Sequence, residues 1–438
     1  MHYIWQHRLF VRPGLKTADG QRLSVVDPGS LNNDSGPDFF NAKMQIGGQM
    51  WVGNVEIHVK ASDWFRHNHH NDRAYDSVIL HVVGVDDARV QRPDGQEIPQ
   101  FVMPCPAEFE QCYNRLTSEA GGQMPCLAHA VQMSPMALRS WLDALAYERL
   151  YAKSDRLLSL LRNYNGDWET VAYIATARAL GFGINSDPFE RLAVSLPLRI
   201  VRKHADSLLA LEAILFGQAG LLPPASADND DYVRALIVEY AHLANKFQLH
   251  PLLSAGWKMA RTRPGNFPHR RIAVLASLLH SGFSLMSRLS AVRTPEQAAA
   301  LFQTTLSPYW YAHYTFAAPT VQRLPADSTD QHPAMSRQAT DIVTINTVAP
   351  LLHAWGISTS QPHAVEAASE LLQQIKPENN TIVRRFTDAG IKCTDAFTSQ
   401  ALIQLFRAYC ETRKCLYCRI GHSKLRGDAQ KTTQNFAR

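Results

Sequence analysis

Apolar residues alternate with polar ones through most of the first hundred positions and then recur at helical spacing, so the chain divides into a strand-rich start and a helical remainder. A short helix is expected over residues 3–11, with Ile4, Trp5, Leu9 and Phe10 as its apolar members. Strands are expected at Arg22–Val26, Phe39–Ile46 and Trp51–Lys60, the last two joined by a Gly47-Gly48 turn. Ser62–Arg66 looks like a helix start. Ser77–Val83 is continuously apolar and β-branched, the pattern of a strand buried on both faces. Ile98–Val102, after an Asp94-Gly95 turn, is the last strand expected.

From Ser134-Pro135, an N-cap followed by proline at the first helical position, the spacing is that of amphipathic helices. They are expected from Leu138 to Leu161, Asp167 to Gly181, Leu208 to Phe216, Tyr232 to Phe247, Ile272 to Leu279, Asn346 to Trp355, Ala364 to Gln373 and Thr398 to Cys410. Residues 317–340 look like an exposed loop. The fold class expected is α+β: an N-terminal mixed β-sheet domain with flanking helices, then a mainly α-helical domain. The boundaries are a mixed domain over 1–104, a linker over 105–133, a helical domain over 134–392, a cysteine cluster over 393–426 and a disordered tail over 427–438.

Composition adds limits. At 438 residues, two or three domains are expected, and 45% apolar with 19% charged residues describes a globular chain. No run of about 18 apolar residues suggests a transmembrane helix. The start, Met1 to Arg8, lacks the pattern of a signal peptide, so the expected compartment is cytoplasmic. A net charge of +5 permits a polyanionic partner without requiring one. Seven cysteines, an odd number, argue against a disulfide framework.

Chemistry-bearing groups concentrate between Gly36 and Asp72, where four acids, four histidines and two lysines fall within 37 residues. On the third strand, Glu56, His58 and Lys60 share one face, opposite Val55, Ile57 and Val59. A hairpin would bring Asp38 near this row. Two carboxylates on adjacent strands can hold Mg²⁺ or Mn²⁺, with His58 or Lys60 orienting an attacking water. A sheet with one solvated face would carry the same row as decoration. The following segment, His67, His69, His70 and Asp72, flanked by Asp63 and His81, could build a Zn²⁺ or Mn²⁺ site, or be a solvated loop. Of these, His70 and Asp72 are the candidates to join Glu56.

Near the C-terminus, Cys410, Cys415 and Cys418 have the spacing of a zinc site, with Cys393 or His422 as fourth ligand, though buried reduced thiols would look the same. Arg261, Arg263, Asn266, Arg270 and Arg271 form a basic loop around Pro264, Phe267 and Pro268. It suits DNA or RNA phosphates, or ion pairs between elements.

The element order, with Pro37-Asp38 leading one strand and Glu56-Ile57-His58 in the next, resembles the PD-(D/E)XK phosphodiesterase superfamily. The resemblance implies metal binding by Asp38 and Glu56. This chain departs from that pattern in carrying His58 where the superfamily has its lysine, and Lys60 projects from the same face one step on. Some of those nucleases carry a C-terminal iron–sulfur cluster, which keeps that alternative to zinc open at the cysteines. Over nearly its whole length the chain also resembles a bacterial domain family of unknown function. That likeness rests on Asn33-x-x-Gly36-Pro37-Asp38-Phe39, Gly53-Asn54-Val55-Glu56-Ile57-His58, Asp63-Trp64, Arg263-Pro264-x-Asn266-Phe267-Pro268 and Cys415-Leu416-x-Cys418-x-Ile420-Gly421. Two functions are therefore expected to compete: a metal-dependent nuclease acting on DNA or RNA, and a non-catalytic binding or scaffold protein with a structural metal at the cysteines. A zinc hydrolase of another substrate, built on the histidines, is a third.

Overall fold

The computed structural model describes residues 1–10, 14–32, 35–92, 94–104, 110–111, 113–114, 124, 126–260, 262–317 and 334–425. The expected tail over 427–438, Arg261, and most of the expected loop and linker lie outside them. The chain forms two compact units, Met1–Ser134 with Arg407–Arg438, and Pro135–Phe406. The cysteine-bearing end is thus part of the N-terminal unit, whereas Cys393 belongs to the second.

The first unit is built on a mixed sheet. Its strands are β1 (Leu23–Asp27), β2 (Ser30–Leu31), β3 (Phe39–Ile46), β4 (Gln49–Lys60), β5 (Val78–Val85) and β6 (Gln100–Val102). The order is β1-β3-β4-β5-β6, with β2 also paired to β3. β1, β3 and β4 are antiparallel, and β4, β5 and β6 are parallel. Gly47 and Gly48 both take positive φ, +59° and +94°, which lets the β3–β4 turn follow the twist of its strands. The parallel step from β4 to β5 uses a four-residue helix, Asp63–Arg66, and two 3₁₀ turns, His69–Asn71 and Arg73–Tyr75.

Two apolar clusters cover this sheet. Trp5, Phe10, Phe39, Met44, Val55, Ile57, Leu80, Val82 and Phe101 form the larger one, which Leu425 from the C-terminal end joins. Trp5 stacks on Phe10 at 5.1 Å and donates its indole N–H to Pro28 O at 3.0 Å. Trp64, Tyr75, Val78, Val90 and Ile98 form the second. As a result β4 is buried at every position from Val55 to His58, and β5 from Val78 to Val83. The continuous apolar run of β5 fits this burial, but two polar β4 residues, Glu56 and His58, are buried with it.

The motif Gly53-Asn54 shapes the middle of the sheet. Both ladders of β4 slip here: the β3 register shifts between Phe39 and Ala42, and the β5 register between Asn54 and Val55. Asn54 bridges both irregularities, accepting from Asn41 N–H at 3.2 Å and donating to Ser77 Oγ at 2.8 Å. Asn41 sits at φ +57°, a conformation asparagine tolerates.

The second unit is helical. Pro135–Asn163 is one continuous helix of 29 residues. Trp168–Leu180, Leu208–Gln218 and Asp231–Phe247 are capped by Asp167, Ser207 and Asp230 side chains accepting backbone N–H groups. The expected helix around Asn346–Trp355 differs: a π turn, Thr344–Val348, precedes an α-helix, Ala349–Ser358. The half-buried Lys153 on the long helix donates to Asn346 Oδ1 at 2.9 Å, so this turn presents a polar group to that helix. Among the described residues no helix is long and apolar enough to cross a membrane.

A Cβ at Gly53 would lie 2.4 Å from Ile79 Cγ2 and 2.8 Å from Ser77 O. Gly53→Ala is expected to force β4 and β5 apart and cost about 1–3 kcal/mol, read as a lower urea midpoint in equilibrium unfolding of the full chain.

Candidate metal centre

Burial of β4 on both faces leaves Glu56 and His58 no water, so they must satisfy each other and their neighbours. Glu56 is 5% and His58 6% exposed. His81 on β5 is paired in register with Glu56 and is fully buried. Its Nε2 lies 2.9 Å from His58 Nδ1. That contact fixes the His58 ring and turns its Nε2 the other way, toward the crossover.

The crossover supplies two more imidazoles. Asn68, at φ +63°, reverses the chain between them, so that His67 and His69 both come back over the strand. His67 Nδ1 lies 3.1 Å from His58 Nε2. His69 is held by ring contacts, stacked on Tyr75 at 3.8 Å and edge-on to Trp64 at 5.4 Å. The donor atoms of His58, His67 and His69 all lie within 4.8 Å of one another, the one such group of histidine, cysteine or acid side chains among the described residues. Glu56 Oε1 stands beside two of them, 3.4 Å from His58 Nε2 and 3.3 Å from His69 Nε2. Adjacent ligands of a tetrahedral zinc ion with nitrogen donors are about 3.3 Å apart, so these spacings match a metal's needs. His69 Nε2 makes no hydrogen bond although it is buried. A donor set of three imidazoles, one with an orphaned nitrogen, fits a zinc-type ion. His67 is exposed and opens the site to solvent.

The electrostatics point the same way. Burial pushes His58 down to about 4, helped by the neighbouring imidazoles of His69 and His67. Burial and His58 push His81 down to about 3, and burial also lowers His69. Burial and the Asp38 carboxylate raise Glu56 to about 8. At neutral pH the three buried histidines of the pocket are therefore uncharged, the form in which imidazole binds metal, and Glu56 carries a proton. The short Glu56–histidine contacts are then contacts between neutral groups.

Asp38 and Glu56 come together, but through the backbone. Asp38 N–H donates to Glu56 Oε2 at 3.1 Å, and Asp38 Oδ2 accepts from Ile57 N–H at 2.9 Å. The two carboxyl groups thus clasp β3 and β4 reciprocally beyond the end of their ladder. His2 Nε2 approaches Asp38 Oδ2 at 2.9 Å from a short helix, His2–Gln6, which starts earlier and ends sooner than the expected 3–11. Lys60 is exposed, and its charge acts on Asp87. Asp72 caps the second 3₁₀ turn through Ala74 N–H at 2.9 Å, and His70 packs on Phe65 and Asn71. Neither His70 nor Asp72 belongs to the trio, whereas His67 and His69 do.

None of the other candidates belongs to this trio. Arg270 donates to Trp310 O. Arg271 is 4% exposed, lies over the Phe182 ring at 4.5 Å and donates to Asn266 Oδ1. Arg263 is exposed. All four residues lie in the second unit. So does Cys393, whose Sγ lies 3.8 Å from Asp395 O. Cys410, Cys415 and Cys418 lie in the first unit with Cys126, which the sequence spacing did not single out.

A family model matches residues 1–381. The chain belongs to that family, described as protein of unknown function (DUF2851). No curated protein and no solved structure matches the chain. For this DUF2851 member the match covers the whole histidine site and ends before Cys410.

The protonation pattern sets a pH dependence for the metal-free protein. Folded Glu56 keeps its proton to about pH 8, and the unfolded chain releases it near 4.5, so stability falls as pH rises through that window. Folded His58 and His81 take up protons only near 4 and 3, and the unfolded chain does so near 6.5, so stability also falls below that pH. Below 6.5 two histidines outweigh one carboxyl. The unfolding free energy of chelator-treated protein, read by urea denaturation, is expected to peak near pH 6.5 and to fall on both sides, by about 1.4 kcal/mol per pH unit for each unmatched proton. Added Zn²⁺ is expected to flatten the alkaline side, because a bound cation expels the Glu56 proton.

Proposed function

We propose that this DUF2851 protein is a metal-dependent hydrolase whose centre is His58, His67 and His69, with Glu56 as its acid–base group. The single observation that carries the reading is the trio of imidazole donors within 4.8 Å, open to solvent through His67 and flanked by the Glu56 carboxyl. The ligand chemistry favours a zinc-type ion or Mn²⁺ over Mg²⁺, which prefers an all-oxygen shell. A metal bound there supplies a water of lowered pKa and a positive charge for a developing oxyanion.

The chain's own residues do the rest. His81 holds the His58 ring so that Nε2 is presented to the site. Trp64 and Tyr75 keep His69 in place and exclude water from its ring. Glu56, beside His58 Nε2 and His69 Nε2, would be ionised with a cation bound, and in that form it can take a proton from an attacking water and pass it to a leaving oxygen. Asp38 positions Glu56 through its backbone N–H.

The substrate class proposed is a phosphodiester of DNA or RNA. Support comes from the strand order, three antiparallel strands followed by a crossover and a parallel strand. Asp38 precedes the second long antiparallel strand and Glu56 lies in the third, the arrangement in which this chain resembles PD-(D/E)XK nucleases. A second reading, a structural metal in a binding module, is favoured by the clasp, which occupies both carboxyl groups with backbone N–H groups.

Labelled single- and double-stranded DNA and RNA incubated with protein and Zn²⁺, Mn²⁺ or Mg²⁺ separate the two. Under the hydrolase reading, His58→Ala and His67→Ala lose both metal and cleavage. Glu56→Gln keeps the metal and loses about 10²–10⁴-fold in rate. Stoichiometric metal binding without cleavage of any of these substrates would favour the binding module.

A further inference from the structure

We propose that Arg271, at the start of the helix Pro268–His280, anchors a binding site for a phosphate group. The helix and every residue of the site lie in the second unit. Arg271 is 4% exposed, and among the described residues its Nε and Nη1 have no hydrogen-bond partner. Its Nη2 donates to Asn266 Oδ1, a neutral acceptor, and its guanidinium lies over the Phe182 ring at 4.5 Å. A buried charge whose contacts are an amide and an aromatic ring is strongly destabilising until an anion completes it. Other arginines of this unit do find acids: the half-buried Arg156 and Arg178 share Glu190.

The start of the helix supplies the rest of the site. Helical side chains lean toward the N-terminus, so Arg271, in the fourth helical position, reaches back over the first turn. Its bond to Asn266, in the 3₁₀ turn Pro264–Asn266 that leads into the helix, holds it there. Phe267 stands at the N-cap, and no side chain caps the helix. Arg271 N–H is bonded to Phe267 O at 3.1 Å. The amides of His269 and Arg270 ahead of it are donors that a helix cannot satisfy from within. Thirteen helical residues add a partial positive charge at this end. Uncapped amides and a buried guanidinium therefore meet at one place, the combination that binds oxoanions.

Charge selects the ligand. No Asp or Glu occurs from Tyr240 to Pro295, whereas Arg270 adjoins Arg271 and Arg263 stands exposed on the preceding turn. Burial and the Arg270 charge lower Arg271 to about 10, so it stays charged at neutral pH. This excess of positive charge favours a doubly charged phosphate over a carboxylate. Phe182, at φ +46° and half-buried, covers the guanidinium beside the exposed Gly183. On the turn, a Cβ at Gly265 would meet nothing within 4 Å, so open space adjoins Asn266. A guanidinium held behind one ring suits a single phosphate, free or at the end of a monoester, rather than the backbone of DNA or RNA.

The full chain is treated with chelator, so that phosphate has no ion to bind at the histidines, and equilibrium dialysis is run with labelled inorganic phosphate and with labelled adenosine 5′-monophosphate. Saturable binding of one phosphate per chain is expected, with acetate a much weaker competitor. Tighter binding of the monophosphate assigns the monoester as the source; equal or weaker binding assigns free phosphate. Arg271→Met is expected to lose the binding, and Arg271→Lys, which keeps the charge without the planar fork, to weaken it. Asn266→Asp keeps the site testable even where Arg271→Met does not fold. It places a carboxylate on the guanidinium, so it is expected to raise the urea midpoint in phosphate-free buffer and to abolish phosphate binding. No saturable binding of either ligand to the wild-type chain, or acetate binding as tightly as phosphate, overturns the proposal. Undiminished phosphate binding in Asn266→Asp with unchanged circular dichroism, or a urea midpoint that does not rise, overturns the placement at Arg271.

Discussion

The parallel pairing of β4 with β5 under apolar cover on both faces is the constraint from which the site follows. It removes water from Glu56, His58 and His81, three groups that ordinarily demand it. Buried polar groups must find partners, and here the partners are one another and the two histidines that the crossover returns. The result is a pocket in which the buried imidazoles are neutral and the carboxyl is protonated, a state costly to hold without a cation and well suited to receiving one.

The clasp between Asp38 and Glu56 carries a second consequence of the same burial. At the start of β3 the ladder with β4 has ended, yet two backbone N–H groups remain to be satisfied. The carboxyl groups take them, each reaching across to the other's strand. A pair that would suit a hard cation if it were free is therefore engaged in holding strands together, and the metal-binding capacity moves to the imidazole side of Glu56. His81 belongs to this support: it makes no approach to solvent, but it sets the orientation of His58.

Much of the first unit was legible in the sequence because alternation reports which residues share a strand face. The strands around Phe39–Ile46 and Trp51–Lys60, the Gly47-Gly48 turn and the doubly buried β5 all follow from local pattern. So does the grouping of Glu56 with His58, since residues two apart on a strand must face alike. The choice among His67, His69, His70 and Asp72 did not follow. It depends on the left-handed turn at Asn68, which turns both His67 and His69 toward His58 and leaves Asp72 to cap a turn, and no spacing rule encodes that reversal. The packing of Cys126 and Cys415 against one core was not legible for a different reason. Cys415 lies near the other end of the chain, and only the return of the C-terminal segment into the first core brings them together. The π turn at Thr344–Val348 likewise reflects tertiary packing around Lys153, invisible to helical periodicity.

The central claim is that His58, His67 and His69 bind one metal ion, and an anomalous-difference map from crystals grown with Zn²⁺ tests it most directly. The account places a peak about 2.0–2.1 Å from His58 Nε2, His67 Nδ1 and His69 Nε2, beside the Glu56 carboxyl. A well-ordered map with these three side chains in place and no peak between their nitrogens would contradict it.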